Sequence, residues 1–433
     1  MTNRATQPRS ARRRRLKFGL TAGVACLLAA CAALAADWPQ FRGPDRNGLS
    51  AETGLLKSWP EGGPKLLWKT TNLGEGHSAP SVAGGRIYGM GLRGQDEVVW
   101  ALNAGTGKEV WSVKIADGIT LGGSQGGYGP RSTPTIDADR LYTLGVSGDL
   151  VCMDAVTGKL KWRKSLVSDF GGRVPTWGYS ESPLVDGEKV VATPGGSNTI
   201  VAFNKMNGEV IWKADVPSAN RVAYSSCILA NVDGQKEYIQ FLAQGVVGVS
   251  AKDGKFLWRF DRPACRNGIN CSAPIYSDHY VFAASSYGNG GALGKLSSGT
   301  SGIEATEVYF TPQMRNHHGG MVLVGDYLYG FDEATLTCLE FKTGKIMWTD
   351  RSVGKGSVTF ADGHIVARSE GERGGRGPSA VALVEATSKG YVETGRFMQP
   401  DKGSNPAWPY PVVSNGRLLL RDQDILLCYD IKQ

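Results

Sequence analysis

The chain holds only five histidines in 433 residues, and two of them stand side by side in Asn316-His317-His318-Gly319-Gly320. A neutral imidazole ligates metals and exchanges protons near neutral pH, so this pair is the sharpest local chemical feature. Neighbouring side chains on a strand point to opposite faces, and both could reach one ion only across a kink that the two glycines would supply. His318 is therefore expected to face a ligand, with His317 packed behind it. His77 would face the same space, but the two belong to separate, non-adjacent repeats, and no metal site is assigned.

His318 is one of eight positions that share a register relative to a recurring proline or small residue: His77, Arg131, Ser180, Tyr224, Cys271, His318, Lys355 and Trp408. The set is polar, mixed and aromatic, as a site grafted onto a repeating frame would be. His77, Arg131, Tyr224, His318, Lys355 and Trp408 are the expected contacts, the cations for an anionic oxygen and the rings for stacking. Tyr128, Arg173, Trp177, Tyr179, Glu181, Asn270, Asn316 and His317 stand near them in sequence. A solvated rim would carry the same residue types, so each position competes with that plainer reading. In Trp177-Gly-Tyr-Ser-Glu181-Ser-Pro183, Glu181 is the carboxylate best placed for metal or base work. Its aromatic neighbours suit stacking on a sugar-like ligand, or packing between sheets. Ser285-Ser-Tyr287-Gly-Asn-Gly-Gly291 resembles a phosphate loop, but no helix follows it and that reading fails. Nucleophile-elbow, paired-carboxylate and zinc-protease patterns are absent, which leaves a hydrolase poorly supported.

These positions are set by a repeat. Ala101-Leu-Asn-Ala-Gly-Thr106-Gly107-Lys-Glu-Val-Trp111 recurs at Cys152–Trp162, Ala202–Trp212, Gly248–Trp258 and Cys338–Trp348. The Thr/Asn/Asp-Gly pair makes a tight hairpin, alternating apolar residues make half-buried strands, and the Trp wedges between neighbouring sheets. The first motif position reads Ala101, Cys152, Ala202, Gly248, Cys338 and Cys428, so those cysteines are small buried side chains. A period near 45 residues with four short strands is propeller spacing. Inner-strand patterns begin near residues 78, 132, 181, 225, 272, 319, 356 and 409, which gives eight blades. The last blade ends at Leu426-Leu-Cys428-Tyr-Asp430 without its outer strand and Lys65-Leu-Leu-Trp68-Lys-Thr70 is an orphan; pairing the two would close the ring. The expectation is an all-β, eight-bladed propeller over 65–433, preceded by an N-terminal extension at 36–64. Glu370–Gly377 and Ser297–Gly302 read as loop tips.

The formal net charge is +8, but seven basic residues lie within the first 17 positions and no acid precedes Asp37. The rest balances at 41 basic against 40 acidic side chains, which gives no basic face for nucleic acid. The basic start, the apolar run Phe18–Ala35 and Ala33-Leu34-Ala35 form a signal peptide over 1–35, without a transmembrane span. Leu28-Ala29-Ala30-Cys31 fits a lipobox and would instead anchor a lipid at Cys31. An oxidising compartment, periplasmic or extracellular, follows, with Cys265 and Cys271 as the expected disulfide.

The A-x-[DN]-x-x-[TND]-G-x-x-x-W repeat resembles the tryptophan-docking motif of quinoprotein-type propellers, over residues 38 to 432. That group includes PQQ-dependent alcohol dehydrogenases and the BamB lipoprotein of outer-membrane assembly. Within it the chain is similar to secreted PQQ-like repeat proteins that begin Trp38-Pro-Gln-Phe-Arg42-Gly-Pro. The resemblance implies three functions: a monomeric ligand- or partner-binding module, a quinone-dependent alcohol or sugar dehydrogenase, or a BamB-like scaffold. Its ligand would be a small molecule, a glycan or an envelope protein. The dehydrogenases hold PQQ on a vicinal disulfide with calcium, and this sequence has no Cys-Cys pair and no C-x-x-C-H haem motif.

Overall fold

The turn glycines set the blades. Gly107, Gly158, Gly208, Gly254 and Gly344 adopt φ between +70° and +74°, a left-handed geometry that costs a glycine nothing. In the first two of these turns the Asn or Asp four residues earlier caps the turn: Asn103 Oδ1 accepts from the amides of Gly105 and Thr106, and Asp154 Oδ1 from those of Val156 and Thr157. A β-bulge follows each small motif residue, so every docking Trp lies directly opposite it. The pairs are Ala101–Trp111, Cys152–Trp162, Ala202–Trp212, Gly248–Trp258, Cys338–Trp348 and, at the closure, Cys428–Trp68. The indole then reaches the next blade's turn. A Cβ added to Gly107 would meet Trp68 at 2.5 Å, and one on Gly254 would meet Trp212 at 2.4 Å.

The computed structural model describes residues 1–2, 37–119, 129–218, 220–299, 302–371, 379–403 and 405–433. The expected export segment, with Cys31 and the Ala33–Ala35 site, lies outside them, as does Tyr128. The ring belongs to the second of two units, residues 35–433. It is an eight-bladed β-propeller, and all regular structure among the described residues is β. The innermost strands start at Ser81, Thr135, Leu184, Ile228, Ile275, Met321, Gly356 and Val412. Lys65–Thr70 pairs antiparallel with Ile425–Asp430 and supplies the outer strand of the last blade, as the orphan pattern predicts. Adjacent blades share each apolar cluster: Tyr142, Leu150 and Trp162 of the second pack with Val190, Val201 and Phe203 of the third. No helix among the described residues is long and apolar enough to cross a membrane.

Residues 37–50 are not a passive extension. Trp38 bridges to Val82 in the first blade, and Leu49–Ser50 adds a parallel strand to Gly356–Ala361 in the seventh. Buried Arg46 donates to the carbonyls of Ser182 (2.8 Å), Pro183 (3.2 Å) and Cys227 (2.8 Å) in the third and fourth blades. Arg42 donates to the Met321 carbonyl in the sixth and faces the Tyr410 ring at 5.3 Å. A segment that reaches blades on opposite sides of the ring crosses its axis. Both arginines hold a left-handed backbone (φ 57° and 56°), a cost the surrounding bonds must offset.

Candidate functional site: a cavity on the propeller axis

The loops leading into the innermost strands carry the eight ring residues. His77, Arg131, Ser180, Tyr224, Cys271 and Trp408 stand four residues before a strand begins, His318 three before and Lys355 one before. Seven of the eight, all but Lys355, line one cavity of about 160 Å³. Residues from seven blades can converge only on the ring axis. Trp177, Ser226, Ile269, Tyr287 and His317 complete the wall, and Phe41 and Tyr410 close it with an edge-on contact of 5.6 Å.

The aromatic wall is continuous. The Trp408 ring lies 4.0 Å from that of His318 and 4.2 Å from that of His77, and the His317 and His318 rings are 3.6 Å apart. The expectation that His317 packs behind His318 is corrected: both line the cavity. The reason is local, because 316–320 is not a strand and the two-face alternation does not apply. Asn316 holds the turn by donating to the carbonyls of Gly320 and Phe331, 3.0 Å each, and by accepting from Ser272. Lys355 donates to His317 Nδ1 at 2.8 Å, which leaves the Nε2 proton for the Tyr287 hydroxyl at 2.9 Å. Lys355 thus acts on the cavity through His317, and it also lies 3.6 Å from Glu333 and 3.7 Å from Glu370. Glu370 is no loop tip, since it accepts from Trp408 Nε1 at 3.1 Å; residues 372–378 lie outside the described ones.

Burial governs the protonation states. It brings the His317 imidazolium down to about 3, with help from Lys355, and carries His318 well below its usual range. Both imidazoles are therefore neutral, and His318 Nδ1 is buried without a hydrogen-bond partner. Burial also lowers the Arg131 guanidinium to about 10 and pushes the Cys271 thiol up to about 12.

Two expectations are redirected. Cys265 and Cys271 remain thiols: Cys265 Sγ bonds Asn267 Oδ1 at 2.8 Å, while Asn270 ties the loop to Leu242 and turns Cys271 into the cavity. Glu181 does not line the cavity. Its carboxylate accepts from Thr193 N (2.7 Å), Thr193 Oγ1 (2.9 Å) and Gln240 Nε2 (2.9 Å), and burial raises it to about 7. It cross-links the third and fourth blades. Tyr179 is likewise structural, donating to the Pro194 carbonyl at 3.0 Å, and Arg173 is exposed. Phe41, Ser226, Ile269, Tyr287 and Tyr410 were not singled out from the sequence as site residues. Phe41 lies inside the Trp38–Pro44 signature, and Tyr287 inside the failed phosphate loop; the other three sit near ring positions without a signal of their own.

The family described as outer membrane protein assembly factor BamB, of the PQQ-repeat type, matches this chain over residues 50–126 and 95–350. The chain belongs to this BamB-like, PQQ-repeat family. Among curated relatives, a tetrathionate hydrolase of Acidithiobacillus ferrooxidans is 23% identical over 224 residues, 49% of this chain and 42% of that protein. BamB of Kangiella koreensis is 26% identical over 164 residues, 36% of this chain and 35% of that protein. The chain thus spans less than half the length of each. Among solved structures, BamB from Moraxella catarrhalis superposes with a TM-score of 0.58 at 16% identity, covering 85% of this chain and 98% of that one. A quinohemoprotein alcohol dehydrogenase from Pseudomonas putida gives 0.58 at 12% identity, covering 92% and 80%. At these identities both show the fold alone.

The cavity does not fit PQQ held with calcium. Among the described residues no Asp or Glu lines it, whereas calcium needs six to eight oxygen ligands. Its 160 Å³ also falls below the roughly 300 Å³ at which pockets for drug-sized ligands begin.

Proposed function

We propose that this BamB-like propeller is exported, cleaved before Ala36 and monomeric, and that it binds a small anionic ligand in the axial cavity. What supports the reading above all is the convergence of unlike residues from seven blades on one cavity that holds the Arg131 cation and, among the described residues, no carboxylate. Arg131 and His77 would meet the anionic oxygens, Lys355 would add charge through His317, and Trp408 and Tyr224 would pack against the remainder of the ligand. The buried, unpartnered His318 Nδ1 would gain a bond in the complex, whichever tautomer it takes. The volume favours an ion or a few heavy atoms over a glycan.

The test is calorimetry of the purified protein with sulfate, oxalate and tetrathionate, and separately with PQQ and calcium. One saturable anion site is expected, weakened 10- to 100-fold by Arg131→Met and by His318→Ala, as charge-assisted bonds of about 1.5–3 kcal/mol imply. Saturable PQQ binding lost in the same variants would replace this reading with the dehydrogenase one. Family membership favours a second reading, an envelope scaffold that binds a protein partner through its loops. In that case no probe would bind, and partner capture from envelope extracts would survive both substitutions.

A further inference from the structure

We propose that Cys271, His317 and His318 form a site for one Cu(I) ion in the cavity wall. Each residue offers one ligand atom, the three atoms lie within 4.8 Å of one another, and all three side chains are partly exposed. They come from the loops before the fifth and sixth blades, held by the two anchored asparagines, Asn270 and Asn316. The ligands are therefore positioned before an ion arrives.

The donor set narrows the ion. One sulfur and two imidazole nitrogens suit copper or zinc, and not the oxygen-seeking calcium or magnesium. Charge then separates the two. Arg131 lines the cavity and, among the described residues, no carboxylate does; the Lys355 ammonium 2.8 Å from His317 Nδ1 is partly offset by Glu333 and Glu370. A single thiolate neutralises Cu(I), whereas a zinc ion would keep a net positive charge against those cations. On binding, the Cys271 thiol proton passes to solvent as the S–Cu bond forms. Copper enters and stays as Cu(I), so no electron acceptor is needed. His317 would bind through Nδ1, giving up its bond from Lys355, and its Nε2–H, donated to the Tyr287 hydroxyl, keeps the ring oriented. The buried Nδ1 of His318, without a protein partner, is an independent sign that the site is built for something further.

The experiment is an anaerobic titration of the reduced full chain with Cu(I) against a coloured Cu(I) chelator, and in parallel with zinc. One Cu(I) per chain is expected, held at least 100-fold more weakly in Cys271→Ser and in His318→Ala, with no change in Cys265→Ser. Thermal melts show that the variants fold, and the second keeps the test open if the first does not. Copper uptake unchanged in both variants, or zinc held more tightly than Cu(I), overturns the proposal. Arg131→Met tests the anion reading without removing a copper ligand, so the two proposals fail separately.

Discussion

At one ring of equivalent positions the chain carries Ala101, Cys152, Ala202, Gly248, Cys338 and Cys428. At another it carries His77, Arg131, Ser180, Tyr224, Cys271, His318, Lys355 and Trp408. The first ring sits in mid-strand, each member directly opposite a docking aromatic ring, so the space above it is already filled. The second sits in loops that end at a cavity, where the neighbours differ from blade to blade. Symmetric packing makes one ring uniform, and unlike surroundings let the other carry chemistry.

The largest effect expected is on the packed ring. Trp212 is 8% exposed and lies against the turn of the next blade, so Trp212→Ala should cost about 3–5 kcal/mol, seen as a large fall in the thermal midpoint. A loss below about 1 kcal/mol would show that docking does not hold the blades together.

The two regions should also respond to pH in opposite directions. Buried Glu97 titrates near 7 in the fold against 4.5 in an open chain, so the folded state holds its proton more tightly. Its contribution is greatest below 4.5 and is lost as pH rises to 7, by roughly 3 kcal/mol at most. His317, brought down to about 3, contributes above 6.5 and loses that contribution as pH falls toward 3. Stability profiles of Glu97→Gln and His317→Gln, measured by denaturant melts from pH 4 to 8, should flatten on opposite sides.

Gly248→Ala is expected to cost about 1–3 kcal/mol, although alanine is native at positions 101 and 202. The added Cβ would meet Trp258 Nε1 at 2.2 Å and Glu237 Oε2 at 2.4 Å, and it would press on the bond those two atoms share. A neutral outcome would mean that the indole can shift. The smallest stability effect belongs to the cavity ring. Arg131→Met should change stability by under about 1 kcal/mol, because an apolar stem replaces a buried charge, while it weakens anion binding 10- to 100-fold. A large loss of stability there would make Arg131 a structural residue and erase the contrast.

The repeat made the blade number, the closure of Lys65–Thr70 on the last blade and the register of six of the eight ring positions legible in the sequence. Each follows from local patterns that recur: a turn glycine, an alternating strand, a Trp at fixed offset. The conformation of the connecting loops does not recur, and there the strand-based expectation for His317 failed. Glu181 and the Cys265–Cys271 pair were misread for a related reason, since Thr193, Asn267 and Asn270 partner them from loops and Gln240 from a strand of the neighbouring blade. The sequence by itself therefore picked out seven of the residues that line the axial cavity, while Lys355 falls outside it and Phe41, Tyr287 and Tyr410 carried no signal. Only the tertiary structure decided that the seven meet in one cavity, that Trp38–Ser50 crosses the axis and brings Phe41 to that cavity, and that Cys271, His317 and His318 lie within 4.8 Å. Contacts between residues separated by tens to hundreds of positions exist only once the ring has closed.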